Sequence, residues 1–172
     1  MEIINNRYIK IDKTDIFYQL VELSESKNTY MSQYFQTLLS TMFEYEKENK
    51  LFVKELYLNR DDFSEDILLN INIKRHTLLN AYVIANLNGN ADLAAEIGKL
   101  LNNKEVTFEQ LGDLKEFILD HCININEYYD GEVKKIIYNS KENTLEKGYI
   151  YNFDKAKIKQ LNKRNIIKNE LL

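Results

Sequence analysis

Apolar residues recur along most of this chain at the three-to-four-residue spacing of helices, and toward both ends the spacing shortens to the every-second-residue alternation of strands. The clearest helical stretch carries Tyr30/Met31, Tyr34/Phe35, Leu38/Leu39 and Met42/Phe43 as pairs four residues apart, a broad stripe that must face a core. The pattern is compatible with a helix continuing to Leu58, with Glu46 and Lys50 four apart on its polar side, a pairing of about 0.2–0.5 kcal/mol. Before it, Asp12 or Thr14 caps a shorter helix with Ile16, Phe17, Leu20 and Leu23 on its apolar side, and 24–28 is a polar break. After it, 59–62 interrupts the pattern, and Asp62 with Glu65 makes a capping pair for a helix carrying Phe63, Ile67, Leu68 and Ile71. A bend is expected at 71–76.

Three further helices follow with short connections. One spans 77–87 and ends at Asn88-Gly89; the next spans 91–101 behind Asn90 and is closed by Asn102-Asn103. The third starts from the capping box Thr107-x-x-Gln110 and places Phe108, Leu111, Leu114, Ile118 and Cys122 on one side. Alternation at Arg7–Ile11 around an Asn5-Asn6 turn predicts an N-terminal strand or hairpin. A second hairpin is expected from 133–138 and 149–153 across the polar stretch 140–144. Asp154 caps a basic final helix. The fold class these elements predict is mainly α: a bundle of about five to six helices with a small C-terminal β-hairpin, joined or not by the N-terminal strand. One domain is expected, with residues 1–130 as an acidic helical body and 131–172 as a basic hairpin plus helix packed on it.

Charge sharpens this division. Residues 1–130 hold 13 Lys/Arg against 22 Asp/Glu, and residues 131–172 hold 10 against 5. A basic appendage on an acidic body predicts binding to something anionic: nucleic acid, a membrane surface, or an acidic protein face, including that of a second copy. The helix from Phe108 carries Glu109, Asp113, Glu116 and Asp120 at i, i+4, i+7 and i+11. Such an acidic stripe is mildly self-repelling unless a cation sits against it. The tail supplies Lys155, Lys157, Lys159, Lys163, Arg164 and Lys168 as its complement, within one chain or between copies. A solvated face is the plainer explanation of the same stripe.

Candidate chemistry changes little. His121-Cys122 pairs a base with a thiol, yet adjacent helical positions point about 100° apart, and Cys122 lies on the apolar stripe. His76, His121 and Cys122 have no zinc spacing, and the five glycines form no phosphate-binding loop. No catalytic, cofactor-binding or metal-binding residues are therefore assigned, and an enzyme is not expected. The helices at 91–101 and 108–122 suggest a helix-turn-helix, but four acids on the second helix would repel phosphates, and its connection exceeds the usual turn of about three or four residues.

The absence of proline and the wealth of Asn, Lys, Ile and Tyr match AT-rich coding. A lone cysteine, no signal-like N-terminus and no long apolar run predict a cytoplasmic, non-membrane address, or a place within a virion. The function expected on these grounds is non-enzymatic protein–protein interaction or assembly. A phage or mobile-element structural subunit and an inhibitor or immunity-type binder both fit, with further copies of the chain or another protein as partner and a homo-oligomer expected. Nucleic-acid binding through the tail, with Tyr149, Tyr151 and Phe153 stacking bases, is the alternative.

Overall fold

The computed structural model describes residues 1–4, 6–25, 28–120 and 136–147. Its centre is a six-stranded mixed sheet in the order β4-β1-β2-β3-β5-β6. The strands are β1 (Glu2–Ile3), β2 (Tyr8–Asp12), β3 (Glu55–Asn59), β4 (Asn72–Ile73), β5 (Ile136–Asn139) and β6 (Thr144–Lys147). Neighbours β1/β2, β2/β3 and β5/β6 run antiparallel, whereas β1/β4 and β3/β5 run parallel. The helices are α1 (Lys13–Glu25), α2 (Thr29–Asn49), α3 (Glu65–Leu68), α4 (Arg75–Leu87), α5 (Ala91–Leu101) and α6 (Lys115–Asp120), with 3-10 turns at Arg60–Asp62 and Glu109–Leu114.

This is a mixed α/β architecture, and it corrects the expected mainly α bundle: the sheet is central, not a small C-terminal hairpin. The strand that the periodicity conceals is β3. Leu56, Tyr57 and Leu58 are each fully buried, because at this strand both faces of the sheet are covered, and the apolar–polar alternation that marks a half-buried strand is lost. Its apolar run therefore extends the pattern of α2 without a visible seam.

The actual break is a left-handed cap. Lys50 takes φ 50° and ψ 48°, and its N–H and that of Leu51 both return to the Glu46 carbonyl. Glycine is the residue that normally marks such a stop, and here a lysine adopts the conformation.

The N-terminal hairpin forms as its alternation predicts, with Ile3 opposite Ile9 and Glu2 opposite Lys10. Asn90 caps α5 through its Oδ1, which accepts from the Leu93 N–H at 3.1 Å, and Gln110 Oε1 accepts from the Thr107 N–H at 2.8 Å. Other boundaries move. The N-cap of α3 is Ser64 rather than Asp62, and the second strand of the C-terminal hairpin is Thr144–Lys147, with 149–153 outside the described residues. The strands thus meet across a tight turn, and Asn143 at φ 51° helps close it.

One face of the sheet, bearing Ile9, Ile11, Leu56, Leu58, Ile136 and Tyr138, joins a continuous core with Ile16 and Leu23 of α1, Met31 to Met42 of α2, and residues of α4 and α5. The other face carries Tyr8, Tyr57 and Ile137 in a small separate cluster with Ile4. Lys10 and Glu55 pair there at 3.5 Å. At the β4 edge, Ile73 donates to the Val106 carbonyl and Phe108 to that of Ile71, so the link between α5 and α6 lies along the sheet. None of the helices among the described residues is long and apolar enough to cross a membrane.

Candidate interaction surface

Where β2 runs into α1, Lys13 donates its backbone N–H to the Lys54 carbonyl at 3.1 Å, tying this junction to the chain that enters β3. The Lys13 side chain then reaches the last turn of α2. Its Nζ lies 2.9 and 2.7 Å from the two carboxylate oxygens of Glu46. Glu46 is only 8% exposed, and its Oε2 also accepts from the buried Val53 N–H at 2.9 Å. A charge this well covered is tolerated because it is both paired and hydrogen-bonded. One carboxylate therefore joins α1, α2 and the entry to β3.

Around this node lie aromatic rings that the fold leaves in water. Phe17 of α1 is 48% exposed, Phe43 of α2 is 46% exposed, and Phe52, in the link from α2 to β3, is 83% exposed. Phe17 and Phe43 are in contact, with ring centroids 6.3 Å apart. The Lys13 ammonium sits 5.7 Å from the Phe43 centroid and 5.4 Å from that of Phe52, within cation–π range. Val21, one turn beyond Phe17, extends the apolar surface along α1. Contiguous exposed apolar surface of this kind is the mark of an interaction site, whereas scattered single residues are not.

The rim is basic. Lys47 lies one turn beyond Phe43, Lys50 and Lys54 flank Phe52 in the chain, and all three are exposed. Lys13 itself is neutralised by Glu46, so the centre of the patch is apolar and its border cationic.

Sequence reasoning counted Phe17 and Phe43 as core and set Glu46 with Lys50. The overlooked signal is the width of the α2 stripe. Both members of the middle pairs, Tyr34/Phe35 and Leu38/Leu39, are buried, but at the two ends of the stripe only one member is covered: Met31 and Met42 go inward while Tyr30 and Phe43 are left outside. Which member of an end pair goes inward is set by the neighbouring elements.

The predicted acidic stripe is placed differently from a single helical face. Glu109 and Asp113 fall on the 3-10 segment, and Glu116 and Asp120 on α6. Between them Gly112 adopts φ 54° and ψ −127°, which breaks the continuous helix on which the i, i+4, i+7, i+11 spacing depends. Glu109, Asp113 and Glu116 are exposed, while the apolar series Phe108, Leu111, Leu114 and Ile118 is buried as its spacing predicts. The tail residues Lys155, Lys157, Lys159, Lys163, Arg164 and Lys168, like His121 and Cys122, lie outside the described residues. Among the described residues, His, Cys, Asp and Glu form no group of three or more that could hold a metal ion. No protein-family model, curated protein or solved structure matches this chain.

Proposed function

We propose that this protein is a non-enzymatic binding protein that docks another protein on the aromatic patch of Phe17, Phe43 and Phe52, the partner being an acidic surface with a protruding apolar side chain. The observation that carries this reading is the exposure of three phenylalanines around a neutralised lysine, bordered by Lys47, Lys50 and Lys54. Aromatic anchors at the centre with charges at the rim are the usual anatomy of a protein interface. The apolar centre supplies affinity; the basic rim supplies orientation and encounter rate. The exposed carboxylates Glu109, Asp113 and Glu116 offer charge of opposite sign, for which we propose the basic residues at 155–168 as the complement, within the chain or in a second copy.

Selection from a displayed random-peptide library against the purified protein tests the proposal. Enriched peptides should combine Asp/Glu with a large apolar residue. Covering a phenylalanine is worth about 1.5–3 kcal/mol, so Phe52→Ser should weaken their binding by about 10- to 100-fold. Lys47→Glu should weaken acidic peptides further and flatten the salt dependence, since it lowers the rim from three positive charges to a net of one. Peptides that bind Phe43→Ser/Phe52→Ser as tightly as the unaltered protein would refute it, as would a selection that enriches nothing.

A further inference from the structure

The parallel strands β3 and β5 end side by side, with Leu58 opposite Tyr138, and the chain leaves both at the same edge of the sheet. In open α/β sheets ligands bind in the crevice beyond the carboxyl ends of parallel strands, and β3 and β5 are such a parallel pair within this mixed sheet. Two adjoining clefts of about 430 and 410 Å³, both open to solvent, occupy this place, and both are lined by Asp62, Tyr138, Ser140 and Lys141. Each lies within the size range of small-molecule sites.

The two lobes differ in chemistry. The first is walled by Tyr30, Tyr34 and Tyr138 around the Asp62 carboxylate. Tyr34 donates its hydroxyl to Asp62 Oδ2 at 3.3 Å, and Tyr138 donates to Asn143 Oδ1 at 3.1 Å across the hairpin turn. The Tyr34 and Tyr138 rings meet edge to face, 5.6 Å between centroids. Burial, with the Asp62 charge second, pushes both phenols above their ordinary range, so they remain protonated donors. The ion pairs among the described residues are Lys10–Glu55 and Lys13–Glu46, and Asp62 is in neither. A carboxylate among aromatic rings is a recognition element for an ammonium group. In the second lobe Lys141 and Lys147 face Glu146 once the Asp62 charge is taken by the ammonium, which leaves net positive charge for an anion there.

We propose that this cleft binds a small zwitterion, its ammonium end held by Asp62 among Tyr30, Tyr34 and Tyr138 and its carboxylate or phosphate end held by Lys141 and Lys147. This site is separate from the aromatic patch and does not depend on it.

Calorimetric titration with O-phosphoethanolamine and γ-aminobutyrate, two zwitterions differing in the anion, tests the assignment, with ethanolamine and inorganic phosphate as the separate halves. Saturable binding of at least one zwitterion is expected, about 10-fold or more tighter than either half. Asp62→Asn keeps an acceptor for Tyr34 while removing the charge, and Lys141→Glu inverts the exposed cation; each should cost about 10-fold or more. Should Asp62→Asn fail to fold, Tyr30→Ala replaces it, since Tyr30 is 60% exposed and its loss removes a wall of the first lobe. The proposal is overturned if neither zwitterion binds below about 10 mM. It is equally overturned if phosphate alone binds as tightly as the zwitterion, or if these variants leave affinity unchanged.

Discussion

Replacing Glu46 by alanine should be among the most damaging single changes to this fold, although Glu46 lies on a helix and carries a charge. Two losses add. The Val53 N–H, in a residue 1% exposed, is left without its acceptor, which costs about 1–3 kcal/mol. The Lys13 ammonium loses both carboxylate contacts. Breaking a fully buried pair costs about 3–5 kcal/mol, but the Lys13 side chain is 25% exposed and water reclaims part of its hydration, leaving about 1–2 kcal/mol. The sum is about 3 kcal/mol. With a urea m-value of about 2 kcal/mol/M for a chain of this size, the denaturation midpoint should fall by about 1.5 M. Glu46→Gln retains an acceptor for Val53 and loses only the ionic part of about 1–2 kcal/mol, so its midpoint should fall by about 0.5–1 M. Combined with Lys13→Met in a double-mutant cycle, Glu46→Gln should show a coupling of about 1–2 kcal/mol. Urea titrations followed by circular dichroism at neutral pH measure all of these. A midpoint shift below about 0.5 M for Glu46→Ala, or equal shifts for the alanine and glutamine variants, would refute the assignment of this carboxylate as the joint between α1, α2 and β3.

Two glycines should respond in opposite directions. Gly112→Ala forces a side chain into φ 54°, ψ −127°, where only glycine is comfortable, and should destabilise by about 1–3 kcal/mol even though a Cβ there meets open space. Gly98→Ala sits inside α5 with its new Cβ at an ordinary 3.5 Å from Tyr82, and should stabilise by about 0.5–1 kcal/mol; thermal melts of the pair decide both signs. Stability should also fall with rising pH above about 10. Tyr34 and Tyr57 are held protonated above their ordinary 10.0, first by burial and then by the nearby carboxylates Asp62 and Glu55 respectively. The unfolded chain therefore releases these protons first, and each group removes about 1.4 kcal/mol per pH unit until its folded-state ionisation is reached. Urea midpoints between pH 8 and 11 that stay flat would contradict this.

How much of this molecule is legible in its residues depends on whether the deciding interaction is local. Asn90 capping α5, Gln110 reaching back to Thr107, the turn at Asn88-Gly89 and the alternation of β2 all act within a few residues, and the chain states them openly. The inward series Leu111, Leu114 and Ile118 is readable for the same reason: spacing reports burial even where the backbone changes from 3-10 to α. The end of α2 is not readable, because its left-handed cap is taken by a lysine that advertises nothing. Nor is β3, flanked by β2 and β5, whose alternation is erased because Leu56 and Leu58 are buried on one face of the sheet and Tyr57 on the other.

The same distinction governs the sites. That this chain holds many aromatic residues and many carboxylates is plain from its composition. Which phenylalanines remain in water, and which carboxylates leave it, depends on neighbours distant in sequence. Glu46 is drawn inward by Lys13, thirty-three positions away, and Asp62 meets Tyr34 from twenty-eight positions away. Periodicity determines that a helix has an apolar side. Only packing determines how much of that side is covered, because the covering surface belongs to other elements; here α1 and the sheet bury Met42 and leave Phe43 exposed.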